Sequence, residues 1–473
     1  MQSQNWRFFS RVIAIAVVTV LVVSFSTFAL AEDASALPGS RPEAAAAPAG
    51  PRNFFLPESS IERPEDAGVR AHTNWALPKA DARISLTGAK PDFTAVQSYE
   101  TPSSMGCLYK IPTSTGPCVP NINSPGGPQK GGQKVIVVVD AYDNPYLAYE
   151  LGVFDSQFGL PAVNFIKYYA NGSGSSCAGG SPPFNAGWGL EESLDVEWAH
   201  TMAPDATIVI MEACSNSWSD LLIAEYDAGS LAVGTYKGGN ITNSWGSGEF
   251  SGETAYDVYF GYDWWEQVVY SVSAGDSSCG AAYPSSSPSV VSAGGTSVYR
   301  KSTNLSFDYE GCWSGSGGGI SAYEVYSATF SGNSYIGTWA DYQWDIFGDA
   351  QGRSTPDMSF NADPNSGVVV FDCAYYSGTC YFLEVGGTSV ASPSLAGIMN
   401  NAKNELGNGH VNTTTGTGFH TTEEDNFLYS QLGTVTDYPK NFYDVTKGSN
   451  GCKVGAEWDY CTGVGSPRGL LGK

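Results

Sequence analysis

The chain has 473 residues, 42% of them hydrophobic and 15% charged, which is enough apolar material for a large buried core and excludes a disordered chain. Acidic residues outnumber basic ones by 47 to 23, a formal charge of -24 at pH 7, so nucleic-acid phosphates and anionic membrane surfaces are poor partners. Most of that charge is neutralised at about pH 4, which suits a protein working in acid.

The first segment, MQSQNWRFFSRVIAIAVVTVLVVSFSTFALAED, carries Arg7 and Arg11 ahead of an apolar stretch and Ala29-Leu30-Ala31 ahead of Glu32. It reads as a secretory signal over 1–31; an uncleaved anchor is the alternative, since Val12 to Leu30 approaches spanning length. Either way the rest of the chain is exported, extracellular or periplasmic. No other segment is apolar enough for a bilayer. Residues 32–88, rich in Ala and Pro at their start, read as a linker without a full pro-domain, and 89–473 as one large domain.

An oxidising compartment makes disulfide partners of the ten cysteines. Sequence neighbours suggest local staples: Cys107 with Cys118, Cys373 with Cys380, Cys452 with Cys461. No CxxC pair occurs, which argues against a thiolate metal site.

From about residue 133, short β-branched runs (QKVIVVVDAYD, ATIVIMEAC, NITNSWG, VVYSVSAGD, SGVVVFD) alternate with helical stretches such as NPYLAYELGVFDSQF and EESLDVEWAHTM. The alternation predicts an α/β fold, a parallel sheet with helices on both faces, and functional residues at the carboxyl ends of the strands. Asp140 ends the first of these strands. On the helix of GWGLEESLDVEWAHTM, Glu191 and Asp195 stand four apart on one face, where they could share a proton in acid; a solvated acidic face is the bland reading. His200, near the helix end, reads as a surface or capping histidine.

Ser244-Trp245-Gly246 and Gly317-Gly318-Gly319 are candidate edges for an extended substrate chain, and Trp245 either lines a pocket or is a sheet-end aromatic. In SAGDSS, Asp276 sits on a Gly-rich turn and could donate a hydrogen bond to a developing oxyanion while protonated. GGTSVASP, followed by an amphipathic helix, places Ser389 on a Gly-rich turn as a nucleophile. A second GGTS, ending at Ser297, lacks the following helix and reads as a core strand. Of the four histidines, none has the setting of a fixed base for Ser389. A carboxylate base fits better, because imidazole is protonated in acid.

These segments, with RSTPDMSFNADPNSG at 353–367 and NFYDVTKGSNG and GAEWDYCTGVGSP near the C-terminus, resemble the sedolisins, the serine-carboxyl peptidases, in the family's order over about 130 to 467. The resemblance implies a subtilisin-like fold and a secreted acid-acting serine-carboxyl endopeptidase, with Ser389 as nucleophile, Glu191 as base, Asp195 as its partner and Asp276 in the oxyanion hole. It also implies one structural Ca2+ held by Asp444 and Asp459 and by carbonyls of Val445, Gly455 and Glu457, where the family usually has Gly at the position of Glu457. Protein or peptide substrates and a monomer go with this reading, with no nucleic acid and no membrane after signal cleavage. Two other readings stay open: a Ser-His-Asp subtilase using His200 and Asp140, and a catalytically silent secreted binding protein. Endopeptidase and tripeptidyl peptidase are not separated.

Overall fold

The computed structural model describes residues 53–86, 99–172, 176–177, 180–261, 267–325, 342–343, 352–402 and 421–473. The signal segment and His410 and His420 lie outside them. The described residues all belong to one compact unit.

Its centre is a mostly parallel sheet. In chain order its strands are β4 (Val135–Ala141), β5 (Asn164–Tyr169), β6 (Thr207–Ala213), β7 (Gly239–Asn243), β9 (Val268–Ser273), β10 (Val291–Arg300), β11 (Phe307–Cys312) and β12 (Met358–Asn361). Among the short strands that precede them are β1 (Phe54–Phe55), β2 (His72–Thr73) and β3 (Leu77–Pro78), and β8 (Trp245–Gly248) follows β7. Across the sheet the order is β11-β10-β9-β7-β4-β6-β5, with β12 also beside β10. Only β11 runs antiparallel to its neighbour.

Every residue of β4 is buried, as expected of a β-branched strand covered on both faces. Successive side chains alternate between two cores. Ile136 and Val138 join Leu147 and Leu151 of α2 (Leu147–Phe158), Val196 and Ala199 of α3 (Ala186–Met202) and Ala396 of α5 (Thr388–Asn401). Val135, Val137 and Val139 pack with Leu221 and Ala224 of α4 (Trp218–Leu231). The Asn185 side chain caps α3 by accepting from Gly187 and Trp188 N–H. α3 and α5 approach closely at Gly397, where a Cβ would stand 2.6 Å from the Met202 Cβ. The carboxyl ends of β4, β7 and β9 therefore face the start of α5.

Residues 53–86 depart from the expected linker. β1 pairs antiparallel with β3, and Trp75, Leu77 and Ala82 belong to the largest core cluster. The Ala/Pro composition that suggested a linker ends near residue 52, and the apolar run Trp75-Ala76-Leu77 has enough surface to hold its own place in the core.

All ten cysteines are paired. Cys107–Cys118 and Cys373–Cys380 are the local staples expected. Cys452 and Cys461 are not partners: Cys452 joins Cys279 and Cys461 joins Cys312, while Cys177 joins Cys214. The fold brings residues 173 and 149 positions apart to Cα separations of 5.1 and 5.9 Å, which sequence proximity does not report. No helix among the described residues is long and apolar enough to cross a membrane.

Candidate active site

Ser389 is the second residue of α5, entered through Gly387 at φ 106°. That left-handed backbone suits glycine, and a Cβ there would lie 2.1 Å from the Asn74 carbonyl oxygen and 2.7 Å from Asp276 Oδ2. Pro393 lies inside the helix. Having no N–H, it leaves the carbonyl of Ser389 without its helical donor; that carbonyl instead accepts from Ser244 Oγ at 3.3 Å.

Ser244, just beyond β7, links the two halves of the site. Its Oγ also donates to Asp195 Oδ1 at 2.8 Å, and its carbonyl oxygen accepts from Ser389 Oγ at 3.2 Å. Glu191 and Asp195 are fully buried on α3, so the solvated-face reading does not hold. Burial pushes the Glu191 carboxyl well above the ordinary carboxylate range; repulsion from Asp195 and Asp140 adds to this, and the neighbouring Ser389 hydroxyl works against it. Burial likewise raises Asp195, with the Ser244 hydroxyl opposing. Asp140, at the end of β4, is raised by burial and then by Asp195, Glu212 and Glu225. Three buried carboxyl groups thus sit in mutual reach with few cations near them, and in such a cluster the protons are shared.

Asp276 follows β9 on the facing turn. Its Oδ1 accepts from both the N–H and the Oγ1 of Thr388 at 2.8 Å, and Thr388 Oγ1 in turn accepts from Gly275 N at 3.0 Å. The Asp276 carboxyl is thereby fixed beside the turn that carries Ser389. Cys279 and Cys452 staple the same turn to the C-terminal segment.

His200 is neither a surface residue nor a base for Ser389. It is fully buried, with Nδ1 2.9 Å from Asp155 Oδ1 of α2, and nine residues of helix carry it about 13 Å along the axis from Glu191. The Ser-His-Asp reading fails on that position. Ser297 lies within β10, its Oγ donating to Asp363 Oδ2 at 2.6 Å, as a core strand residue should. Trp245 is structural: it is fully buried, donates Nε1 to Val139 O at 2.8 Å, and meets Trp218 edge-on at 5.8 Å.

Neither candidate substrate edge is open. Gly317 lies buried under the oxyanion-side turn, donating to Gly275 O at 2.7 Å. The Ser244–Gly246 edge is already paired: β2 runs antiparallel to β8, His72 opposite Gly246 and Thr73 opposite Trp245, and Asn74 N donates to Ser244 O at 3.1 Å. Asn74 was not singled out from the sequence, where nothing about HTNW marks a contact more than three hundred residues away.

At the C-terminus, Asp444 Oδ1 accepts from Glu457 N at 2.9 Å, and Asp459 Oδ2 accepts from Gly455 N at 3.2 Å. Both expected carboxylates therefore converge on one turn. Glu457 adopts φ 64°, the left-handed conformation that glycine takes without strain. An all-oxygen set of two carboxylates and backbone carbonyls suits a hard cation. Among the described residues no group of three or more His, Cys, Asp or Glu side chains is arranged for a metal, so an ion here would depend on carbonyls for most of its shell.

No family model matches the chain. Sedolisin of Pseudomonas sp. (strain 101) is 27% identical over 217 residues, 42% of this chain and 33% of that protein. Kumamolisin of Bacillus sp. (strain MN-32) is 26% identical over 416 residues, 80% of this chain and 63% of that protein. The chain thus spans about a third of one relative and somewhat under two thirds of the other. Among solved structures, Pseudomonas sedolisin, a serine-carboxyl proteinase complexed with two molecules of pseudo-iodotyrostatin, aligns with a TM-score of 0.57 at 22% identity, covering 79% of this chain and 96% of that one. At that identity the likeness speaks for the fold.

Proposed function

The chain is a sedolisin-family protein with a subtilisin-like fold, and from that premise we propose that it is a secreted, acid-acting serine-carboxyl endopeptidase. Ser389 Oγ attacks the peptide carbonyl and passes its proton to Glu191. Asp195 steadies Glu191 by sharing the cluster's protons, held in place by the Ser244 hydroxyl. The negative charge developing on the carbonyl oxygen is met by the Ser389 N–H and by Asp276, which donates only while protonated. Glu191 then protonates the leaving amine. Water releases the acyl-enzyme by the same path in reverse, attacking the ester as Glu191 takes its proton.

The observation that carries this reading is the convergence on Ser244 of Ser389 and Asp195, the nucleophile and the base's partner, from helices nearly two hundred residues apart. A silent binding protein has no use for buried, mutually repelling carboxyl groups beside a serine hydroxyl, because each of them costs stability near neutrality. Asp444 and Asp459, with carbonyls of Val445, Gly455 and Glu457, are the proposed holders of a Ca2+ ion, whose contribution would be to cross-link the C-terminal turns. The disulfides and acidic charge suit a secreted protein acting on peptides or unfolded proteins.

The test is hydrolysis of an unfolded protein from about pH 3 to about pH 8 by the wild type and by Ser389→Ala. An optimum in acid that vanishes in the variant is expected. An optimum above neutrality would sink the carboxyl mechanism.

A further inference from the structure

The turn that carries Asp276 is clamped through its backbone. Gly317 N donates to Gly275 O at 2.7 Å, Ser278 N donates to Gly315 O at 2.9 Å, and Gly280 and Gly318 exchange both backbone bonds, at 2.7 and 2.9 Å. Two arms run outward from this clamp. One is the short strand Ala282–Tyr283, antiparallel to β8 with Ala282 opposite Gly248 and Tyr283 opposite Ser247; the other is the strand Gly319–Val325. Both arms end on carboxyl groups. Glu249, just past β8, accepts from Ala322 N at 3.0 Å and from Ser321 Oγ. Glu253, the first residue of the 3-10 helix Glu253–Tyr259, accepts from Phe250 N at 2.6 Å and from Ser286 Oγ at 3.4 Å. Asp257 of the same helix accepts from the Tyr283 hydroxyl at 3.2 Å, and Glu324 comes from the second arm. Glu253 and Glu324 are buried.

These carboxyl groups meet in two pairs, Glu253 within hydrogen-bonding reach of Glu249 and Glu324 within reach of Asp257. Two carboxylates repel each other, and two carboxyl groups hold together only when one of them carries a proton to donate. We propose that Glu249, Glu253, Asp257 and Glu324 are positioning residues, a proton-held brace that fixes the turn of Asp276 in acid and releases it as the pairs ionise. Its effect on catalysis rests on the peptidase reading above; the brace itself does not. In each pair the proton sits on the more deeply buried member, so Glu253 donates to Glu249 and Glu324 to Asp257. The other titratable groups alongside are the Tyr283 hydroxyl and the Glu62 carboxylate, which accepts from Gly248 N at 2.7 Å. Burial pushes Glu253 up to about 9, with repulsion from Glu249 and Glu324 added. Burial also pushes Asp257 up to about 6, against the opposing hydrogen bonds of Ser287, Tyr283 and Glu324. The closed brace thus binds more protons than the open one. Its contribution is complete below about pH 4 and is lost as pH rises through about 6 and then about 9.

The test compares the full wild-type chain with the double variant Glu253→Gln and Glu324→Gln, whose amides donate the same two bonds at any pH. Hydrogen exchange corrected for its intrinsic rate, and kcat/KM for an unfolded protein, are followed from about pH 5 to about pH 8. In the wild type, the amides of 278–283 and 319–325 are expected to lose about tenfold or more of their protection across that range, while the variant keeps it. The alkaline fall of kcat/KM is expected to lie about one pH unit or more higher in the variant. Wild-type protection that stays constant across the range overturns the brace and needs no variant to fold. Equal loss in both proteins also overturns it. Exchange that follows the expected pattern while the alkaline fall coincides in the two proteins would overturn the link to Asp276. The same pattern in a protein that hydrolyses nothing at any pH would support the brace and remove the peptidase reading.

Discussion

Ser389 becomes a nucleophile only if a neighbour takes its proton, and the residues around it offer carboxyl groups rather than imidazole. Glu191→Gln keeps shape and hydrogen bonding but cannot accept a proton, so kcat against an unfolded protein is expected to fall by about 10²–10⁴-fold with little change in KM. Asp276→Ala removes a transition-state donor, and a loss of about 10²–10³-fold in kcat is expected. The acid limb of the wild-type pH profile requires the Glu191 cluster to lose a proton. Its apparent pKa belongs to the coupled carboxyl groups together, so Asp140→Asn, which relieves one repulsion on Glu191, should move the acid limb to lower pH. Measuring kcat/KM across the range in each variant checks all three.

At the scale of elements, the turn into α5 and the segment 71–78 decide the geometry. Gly387 meets both a positive φ and two close neighbours. Gly387→Ala is therefore expected to lower stability by about 1–3 kcal/mol and to displace Asp276 from the nucleophile turn, costing activity beyond the stability loss. Denaturant midpoints and initial rates measured on the same preparation would separate the two effects. Much of this scale is legible in the residues: the β-branched runs became β4, β6, β7 and β9, and GGTSVASP became a turn and a helix. The linker reading of 53–86 failed because composition was averaged over a stretch that contains Trp75, and burial follows the individual large side chain. The Cys452–Cys461 pairing failed for a related reason, since nearness in sequence is a weak guide where turns direct two cysteines toward different neighbours.

The whole molecule carries many buried carboxyl groups, and their protonation links stability to pH. Burial raises Asp257 to about 6, and Asp372 and Glu384 to about 8, from ordinary values of 3.8, 3.8 and 4.5. Between the ordinary and the raised values the folded chain binds more protons than the unfolded one, so stability declines as pH rises. It is fully present below about pH 4 and lost progressively through about pH 6 to 8, while the net charge of -24 at pH 7 adds self-repulsion. Tm by calorimetry is expected to be several degrees higher at about pH 4.5 than at about pH 8. Chelation with EDTA at fixed pH, followed by Ca2+ restoration, is expected to lower and restore Tm by about 3–6 °C, and an unchanged Tm would remove the calcium proposal.

What the sequence by itself determined is the alternation of elements, the α/β class, and which residues have chemistry to offer: Glu191 and Asp195 on one helix face, Asp276 on a Gly-rich turn, Ser389 before a helix. Local periodicity and turn chemistry are encoded within a few residues, so they can be read there. Only the tertiary structure decided that those carboxyl groups are buried together, that His200 is spent on Asp155, and that Asn74 lies across the nucleophile. Burial and long-range hydrogen bonds arise from how distant elements pack, and desolvation turns an ordinary acidic helix face into a cluster of shared protons.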